Sequence, residues 1–355
     1  MKSDFGDHLI LGIAGVQLSD EEKRLLSDLS PRGVLLLGRN FDHGTLYEEW
    51  LESLKTLLDE ISQYSEQPNP IISIDHEGGR VTRTPLPITP FPPAKHYREL
   101  SESVGNIHGR ELASLGVNVT YAPICDVHSN PNNPIIGPRA FSTLAKEAGT
   151  FALQYHQGLR VNNVLGCAKH FPGHGDTDLD SHLTLPVVGT SLEEAKKREF
   201  LPFIELIKDD VPLIMTAHVL FPAIDSLVAT LSSKLLTEIL RQELGYKGVI
   251  ISDDLEMNAV ADTFRDPTTL GKAFNAGCDL FIISRYPNTN LEFTEMIAKN
   301  FSTLKDSGAL SRFDESKNLL AKLDETLPKN EVTPLSDDIF KEHYSLSLKI
   351  SGLTL

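Results

Sequence analysis

Cysteine is scarce in this chain, with three residues in 355, at positions 125, 167 and 278. The number is odd and no two have metal-ligand or redox spacing. That excludes a disulfide framework and a cysteine metal site. Each cysteine lies in or beside an apolar run, the pattern of a buried free thiol in a reducing compartment. Basic residues are also in short supply. Thirty-three Lys and Arg face 49 Asp and Glu, a formal charge of −16, which argues against nucleic acid or an anionic membrane as partner. No apolar run approaches the roughly 18 residues that span a bilayer. The first residues, Met1 to Asp7, lack a basic stretch followed by an apolar core, so no secretory signal is expected and the cytoplasm is the expected location. P-loop, GxGxxG and HExxH patterns are missing, as are internal repeats and low-complexity tracts.

What the chain does have is eight short β-rich runs, at 9–12, 33–37, 70–74, 118–121, 164–168, 212–216, 248–252 and 279–284. Several are continuously apolar, as strands covered on both faces are. Helix signals lie between them. Ser19 with Glu22 and Ser191 with Glu194 fit capping boxes. Residues 232–244 place Leu235, Leu236, Ile239, Leu240 and Leu244 at helical spacing before Gly245, and 270–276 end similarly at Gly277. Strands alternating with helices predict a single (β/α)8 TIM-type barrel over residues 1–290, with a short helical C-terminal extension at 291–355 packed on it. An open doubly wound sheet is the alternative on pattern alone. The barrel is favoured by the polar residues that follow the strands: Asp75, Asp126, Lys169 with His170, His218, Asp253 with Asp254, and Arg285. The C-terminal strand ends form a barrel's catalytic face.

The densest chemistry lies at 169–182, KHFPGHGDTDLDSH, with three histidines, three aspartates and a lysine directly after an apolar run. Glycines and Pro172 predict a loop here. Metal ligation by His170, His174, Asp176, Asp180 or His182 is disfavoured, because the spacing is not that of a helix-borne site and the backbone is glycine-rich. A polar surface loop is the bland alternative. Acid/base chemistry suits it better: Asp180, two residues from His182, can accept from one ring nitrogen and raise the basicity of the other. A second candidate is the acidic pair Asp253-Asp254 at the end of the seventh run. A carboxylate held there is a plausible nucleophile toward an anomeric carbon. Helix N-capping would also explain the pair, and periodicity does not choose between the two, because the run is apolar on both faces. The third segment, Asp75-His76-Glu77-Gly78-Gly79-Arg80-Val81-Thr82-Arg83, combines a Gly-Gly pair with acids and arginines, suited to a polyhydroxylated ligand.

Together the segments DHEGGRV at 75–81, KHFPGHGDT with DSH at 169–182 and SDDL at 252–255 resemble the bacterial β-N-acetylhexosaminidases of glycoside hydrolase family 3, over about residues 5–285. The resemblance implies a (β/α)8 barrel that releases terminal β-linked N-acetylglucosamine with retention of configuration, in cell-wall recycling on muropeptide fragments. It implies Asp253 as nucleophile, His182 as general acid/base paired with Asp180, and Asp75, Arg83, Arg139, Lys169 and His170 as sugar-binding residues. No metal or organic cofactor is expected, and a monomer is. His76 stands where many members have glutamine, and Pro138 precedes Arg139 where several have glutamate. The rival expectations are a phosphorylase using the same covalent intermediate and a catalytically silent sugar-binding barrel.

Overall fold

A computed structural model describes residues 4–177, 185–284 and 291–352 of the chain. Eight parallel strands close into a barrel in sequence order: β1 Leu9–Gly12, β2 Gly33–Leu36, β3 Ile71–Ile74, β4 Val119–Thr120, β5 Leu165–Phe171, β6 Leu213–Thr216, β7 Val249–Asp254 and β8 Leu280–Ile283. The doubly wound sheet is thereby excluded, since β1 pairs with both β2 and β8.

The continuously apolar strands are explained by burial on two sides. Ile10, Leu35, Ile71, Val119, Cys167, Leu213, Val249, Ile251 and Leu280 pack together inside the barrel. Their sequence neighbours Leu11, Val34, Ile72, Ala168, Ile214, Ile250 and Phe281 pack outward in a second cluster with the helices. Strand side chains alternate faces, so both sets must be apolar. Gly12 permits the closure of β1 on β8: a Cβ there would fall 2.5 Å from the carbonyl oxygen of Ser284.

The helices α1 Asp20–Leu29, α2 Tyr47–Ser65, α3 Ser101–Ser114, α4 Ala145–Val161, α5 Leu192–Lys197, α6 Leu201–Lys208, α7 Ala261–Phe264 and α8 Thr269–Ala276 follow the strands. Both capping boxes form, Ser19 with Glu22 and Ser191 with Glu194. The helix expected at 232–244 is wound more widely. Lys234–Glu243 is a π-helix, continued by a bond from the Leu244 amide to the Ile239 carbonyl at 2.8 Å. It still buries Leu235, Leu236, Ile239 and Leu240.

Among the described residues, three helices come after β8: α9 Leu291–Asp306, α10 Phe313–Thr326 and α11 Asp337–Ile350. Leu320 and Leu323 of α10, with Leu327, join the interior cluster and stop the barrel at the N-terminal ends of its strands. Asp324 pairs with Arg32 at 2.6 Å, and the Leu327 carbonyl accepts from Asn69 at 3.1 Å. α11 buries Phe340 and sets His343 Nδ1 2.7 Å from Glu111 of α3. A cavity opens at the opposite end of the barrel.

Candidate active site

Strand periodicity carries three charged side chains inward at the C-terminal rim. Inside the barrel, Ile71 leads through Ser73 to Asp75, Cys167 to Lys169, and Val249 through Ile251 to Asp253. β5 and β7 are longer than their apolar runs. Lys169 and His170 lie on β5 itself, not in the loop expected for them, and Asp253 and Asp254 end β7. The polar residues were absorbed into the ladder because pairing with neighbouring strands continues: the Cys125 amide bonds the Lys169 carbonyl at 2.6 Å and the Ala217 amide the Phe171 carbonyl at 2.7 Å.

The rim encloses a cavity of about 480 Å³ whose lining includes Asp75, Arg83, Arg139, Lys169, His170 and Asp253. Leu35, Leu37, Met215, Met257 and Ile282 add apolar surface to it. All six expected residues that fall among those described thus share one space. Asp180 and His182 lie outside the described residues. The flanks of their segment are joined to each other: Asp176 accepts from Arg198 Nη2 at 2.9 Å, Thr190 Oγ1 at 3.2 Å and Ser129 Oγ at 2.7 Å.

Lys169 is fully buried and donates to Asp75 Oδ1 at 2.6 Å and to Glu77 Oε1 at 2.7 Å. Glu77 takes Arg139 in a two-pronged pair, Nε to Oε2 and Nη2 to Oε1, both at 2.8 Å. Burial works to raise the Glu77 carboxyl, but the two cations outweigh it and hold the group well below the carboxylate range. Burial likewise opposes the Lys169 ammonium, and Asp75 with Glu77 overcomes it, so its pKa is raised. Glu77 is the residue missed by the sequence expectations. Its signal was present: it continues the inward parity of Asp75 within the Gly-Gly segment. There Gly78 takes φ +93° and a Cβ would meet the Pro92 carbonyl oxygen at 2.7 Å, so the turn admits only glycine.

His170 is oriented from behind. Its Nδ1 lies 2.7 Å from Asp126 Oδ2, while Asp126 Oδ1 accepts from the His174 amide at 2.7 Å. With Nδ1 taken by a buried carboxylate, Nε2 is the nitrogen left for the cavity. Arg83 is placed differently from the other cations. Its Nε is buried without a hydrogen-bond partner among the described residues, as befits a donor awaiting a ligand. His76 does not reach the cavity at all. It is buried against His108, ring centroids 4.6 Å apart, and burial lowers its pKa to about 4.

Asp253 and Asp254 separate here. The β7–β8 register shifts between Ile251 and Asp254, a local irregularity that re-aims side chains. Asp254 Oδ2 accepts from Ser284 Oγ at 2.6 Å and Oδ1 from the Glu256 amide at 3.1 Å. Burial, aided by the charges of Glu256 and Asp253, pushes the Asp254 carboxyl up to about 7, against the lowering by the Ser284 hydroxyl and the Glu256 amide. Asp253 is bonded to the Asp254 amide at 2.8 Å. Burial raises its pKa, yet His170, His218, that amide and Lys169 outweigh burial and hold it below the usual value. The arrangement is a carboxylate held ionised, Asp253, sharing a cavity of about 480 Å³ with the ion-paired Asp75, with fixed cations and an oriented imidazole around it. Among the described residues, no group of three or more His, Cys, Asp or Glu is placed to hold a metal ion.

A family model described as the glycosyl hydrolase family 3 N terminal domain matches residues 8–318. A beta-hexosaminidase of Neisseria gonorrhoeae is 34% identical over 288 residues, 78% of this chain and 77% of that one. The chain belongs to the β-N-acetylhexosaminidases of glycoside hydrolase family 3. Another beta-hexosaminidase, from Alkalilimnicola ehrlichii, is 36% identical over 291 residues, covering 79% of this chain and 81% of the relative. Among solved structures, a family 3 β-N-acetylglucosaminidase from a Paenibacillus species superposes with a TM-score of 0.87 at 32% identity, over 99% of this chain and 68% of that one. NagZ from Neisseria gonorrhoeae, in complex with N-trifluoroacetyl-D-glucosamine, gives 0.76 at 28% identity over 97% of both chains. Family 3 membership thus extends across the whole barrel and into the C-terminal helices.

Proposed function

We propose that this hexosaminidase is a retaining exo-β-N-acetylglucosaminidase acting on muropeptide-type fragments. The observation that carries it is the ionised, cavity-facing Asp253. In the first step an Asp253 oxygen attacks the anomeric carbon, the bond to the leaving oxygen breaks, and His182 gives its proton to that oxygen. In the second, His182 takes a proton from water, whose oxygen attacks the same carbon and releases the Asp253 carboxylate. Asp180 keeps His182 in the competent tautomer. Asp75, Arg83, Arg139, Lys169 and His170 bind the sugar, and Glu77 holds the two buried cations in position. The substrate class is supported by the solved relative that holds an N-acylglucosamine analogue. Residues 291–355 serve as an extension of the one barrel, supported by α10 stopping its lower end. A cytoplasmic monomer is the state we assign, and three buried free thiols suit a reducing compartment.

Turnover of a chromogenic N-acetyl-β-glucosaminide, followed by trapping with a fluorinated N-acetylglucosaminide and peptide mapping, tests the proposal. A label on Asp253 is expected; a label elsewhere overturns the nucleophile assignment. The cationic lining, with Arg80, Arg83 and Arg139, also favours a second reading, phosphorolysis of the same intermediate. Formation of N-acetylglucosamine 1-phosphate in preference to free sugar when phosphate is added would establish it.

A further inference from the structure

We propose that Asp254 is a positioning residue for Asp253, held by a clamp in which Arg39 fixes Ser284 and Ser284 fixes Asp254. It rests on the assignment of Asp253 as nucleophile. The clamp joins three elements of the rim. Arg39 lies in the 3-10 turn Gly38–Asn40 after β2. Its Nη2 donates to the Ser284 carbonyl at 2.6 Å and its Nε to the Ile13 carbonyl at 2.7 Å. Ser284, the residue after β8, donates through Oγ to Asp254 Oδ2 at 2.6 Å and through its amide to Oδ1 at 3.3 Å. Gly12 lets the Ser284 backbone seat directly against β1. The Asp254 amide then donates to Asp253 Oδ1 at 2.8 Å, and the Asp254 carbonyl lies 3.1 Å from Nε2 of His218.

The need for such a clamp follows from the local backbone. Asp253 sits where the β7–β8 register shifts, so the ladder by itself does not fix its carboxylate. Asp254 lines the cavity too, and a carboxyl in that place could be taken for a general acid. Its hydrogen bonds turn it toward the rim: Oδ2 accepts from Ser284 Oγ, and Oδ1 from the Glu256 and Ser284 amides, so three protein donors fix the carboxyl in place. The charged neighbours of the Asp254 carboxyl are Asp253 and Glu256 on its own segment and Arg39 from the end of β2.

The test compares Ser284→Ala, Ser284→Thr and Asp254→Asn with the unmodified enzyme. It reads the rate at which a fluorinated N-acetylglucosaminide labels Asp253, the affinity for free N-acetylglucosamine as a competitive inhibitor, and thermal unfolding. Ser284→Ala and Asp254→Asn should each slow labelling about ten- to a hundredfold, the scale of a small misplacement of a reacting group. Inhibitor affinity should stay within about threefold, which also shows that the variants fold. Ser284→Thr, which keeps the hydroxyl, should restore most of the rate. The double variant Ser284→Ala with Asp254→Asn should be little worse than either alone, because both break one chain of contacts. Unchanged labelling in the variants overturns the clamp. So does a loss from Asp254→Asn that grows with leaving-group pKa, since that marks Asp254 as an acid. A loss of inhibitor affinity matching the loss of rate makes Asp254 a substrate contact and overturns it as well. If the unmodified enzyme is labelled at a residue other than Asp253, the nucleophile assignment itself fails, an outcome separate from the others.

Discussion

The barrel holds a buried cluster of charge at each end, and the two differ in what they face. At the lower end, fully buried Asp279 precedes β8. One oxygen accepts from Arg312 and, at 2.8 Å, from Ser316; the other accepts from Arg241 at 2.7 Å and the Ile250 amide at 2.9 Å. Every acceptor position of that carboxylate points at protein, and Arg312 and Ser316 tie it to the C-terminal helices. At the upper end, Lys169, Asp75, Glu77 and Arg139 are also paired. Each cluster holds one buried arginine Nε without a hydrogen-bond partner among the described residues, Arg241 below and Arg83 above, but at the upper end Arg83 and Asp253 line a cavity. A cluster closed on itself fixes architecture. One that opens on a cavity, at the catalytic end of a barrel, can take a ligand.

The largest expected effect sharpens that contrast. Asp253→Asn should reduce turnover of a chromogenic N-acetyl-β-glucosaminide by about 10⁴-fold or more while leaving the unfolding midpoint nearly unchanged; retention of most activity would break the comparison at its upper end. Asp279→Ala should do the reverse. Leaving Arg241 and Arg312 unpaired should cost about 3–5 kcal/mol in denaturant unfolding, with kcat per folded molecule unaltered. A pure loss of kcat would mean that the lower cluster is not simply structural. Glu77→Gln lies between the two, since it frees Lys169 and Arg139 but keeps the shape. It should lower kcat/KM about 10- to 100-fold together with a measurable fall in melting temperature.

The smallest effect concerns pH and involves both ends. His8 at the lower end, His76 and His174 at the upper, and His156 beneath β5 are each lowered by burial to about 4 from 6.5. They are neutral when folded, and the unfolded chain binds their protons first. Their contribution to stability is therefore complete above about pH 6.5 and is lost as pH falls toward 4. Asp254, raised to about 7 from 3.8, acts in the opposite sense between those values, as does the raised Glu199, but His108 and His218 are lowered by burial too and add to the four. Melting temperature should thus decline on acidification from pH 6.5 to 4. A flat profile over that range would show that these imidazoles gain no protons on unfolding.

Much of the fold was legible because it rests on local pattern. The eight runs became the eight strands, and both serine capping boxes formed at the expected residues. Misplacements came where tertiary pairing overrode local chemistry. Lys169 and His170 look like loop residues beside Pro172, yet they extend β5 because Pro123 and Cys125, just after β4, bond the Lys169 backbone and the Asp126 carboxylate accepts from the His170 amide, while β6 pairs again at Phe171. Glu77 was passed over because a carboxylate in a glycine-rich turn carries no mark of its partners; its two cations come from positions 62 and 92 residues further along the chain.

The sequence by itself determined that alternating apolar strands and capped helices would close into a barrel, and that its reactive groups would gather at one set of strand ends. Both follow from periodicity and from the cost of placing titratable groups in apolar strands without a partner. Which of two adjacent aspartates would stand free was settled only in three dimensions. In β7 the residues on both faces are apolar, so no pattern along the strand separates inside from outside. Both line the cavity, and the distinction was made by Ser284, thirty residues away along the chain, whose hydroxyl and amide engage the Asp254 carboxylate and not that of Asp253.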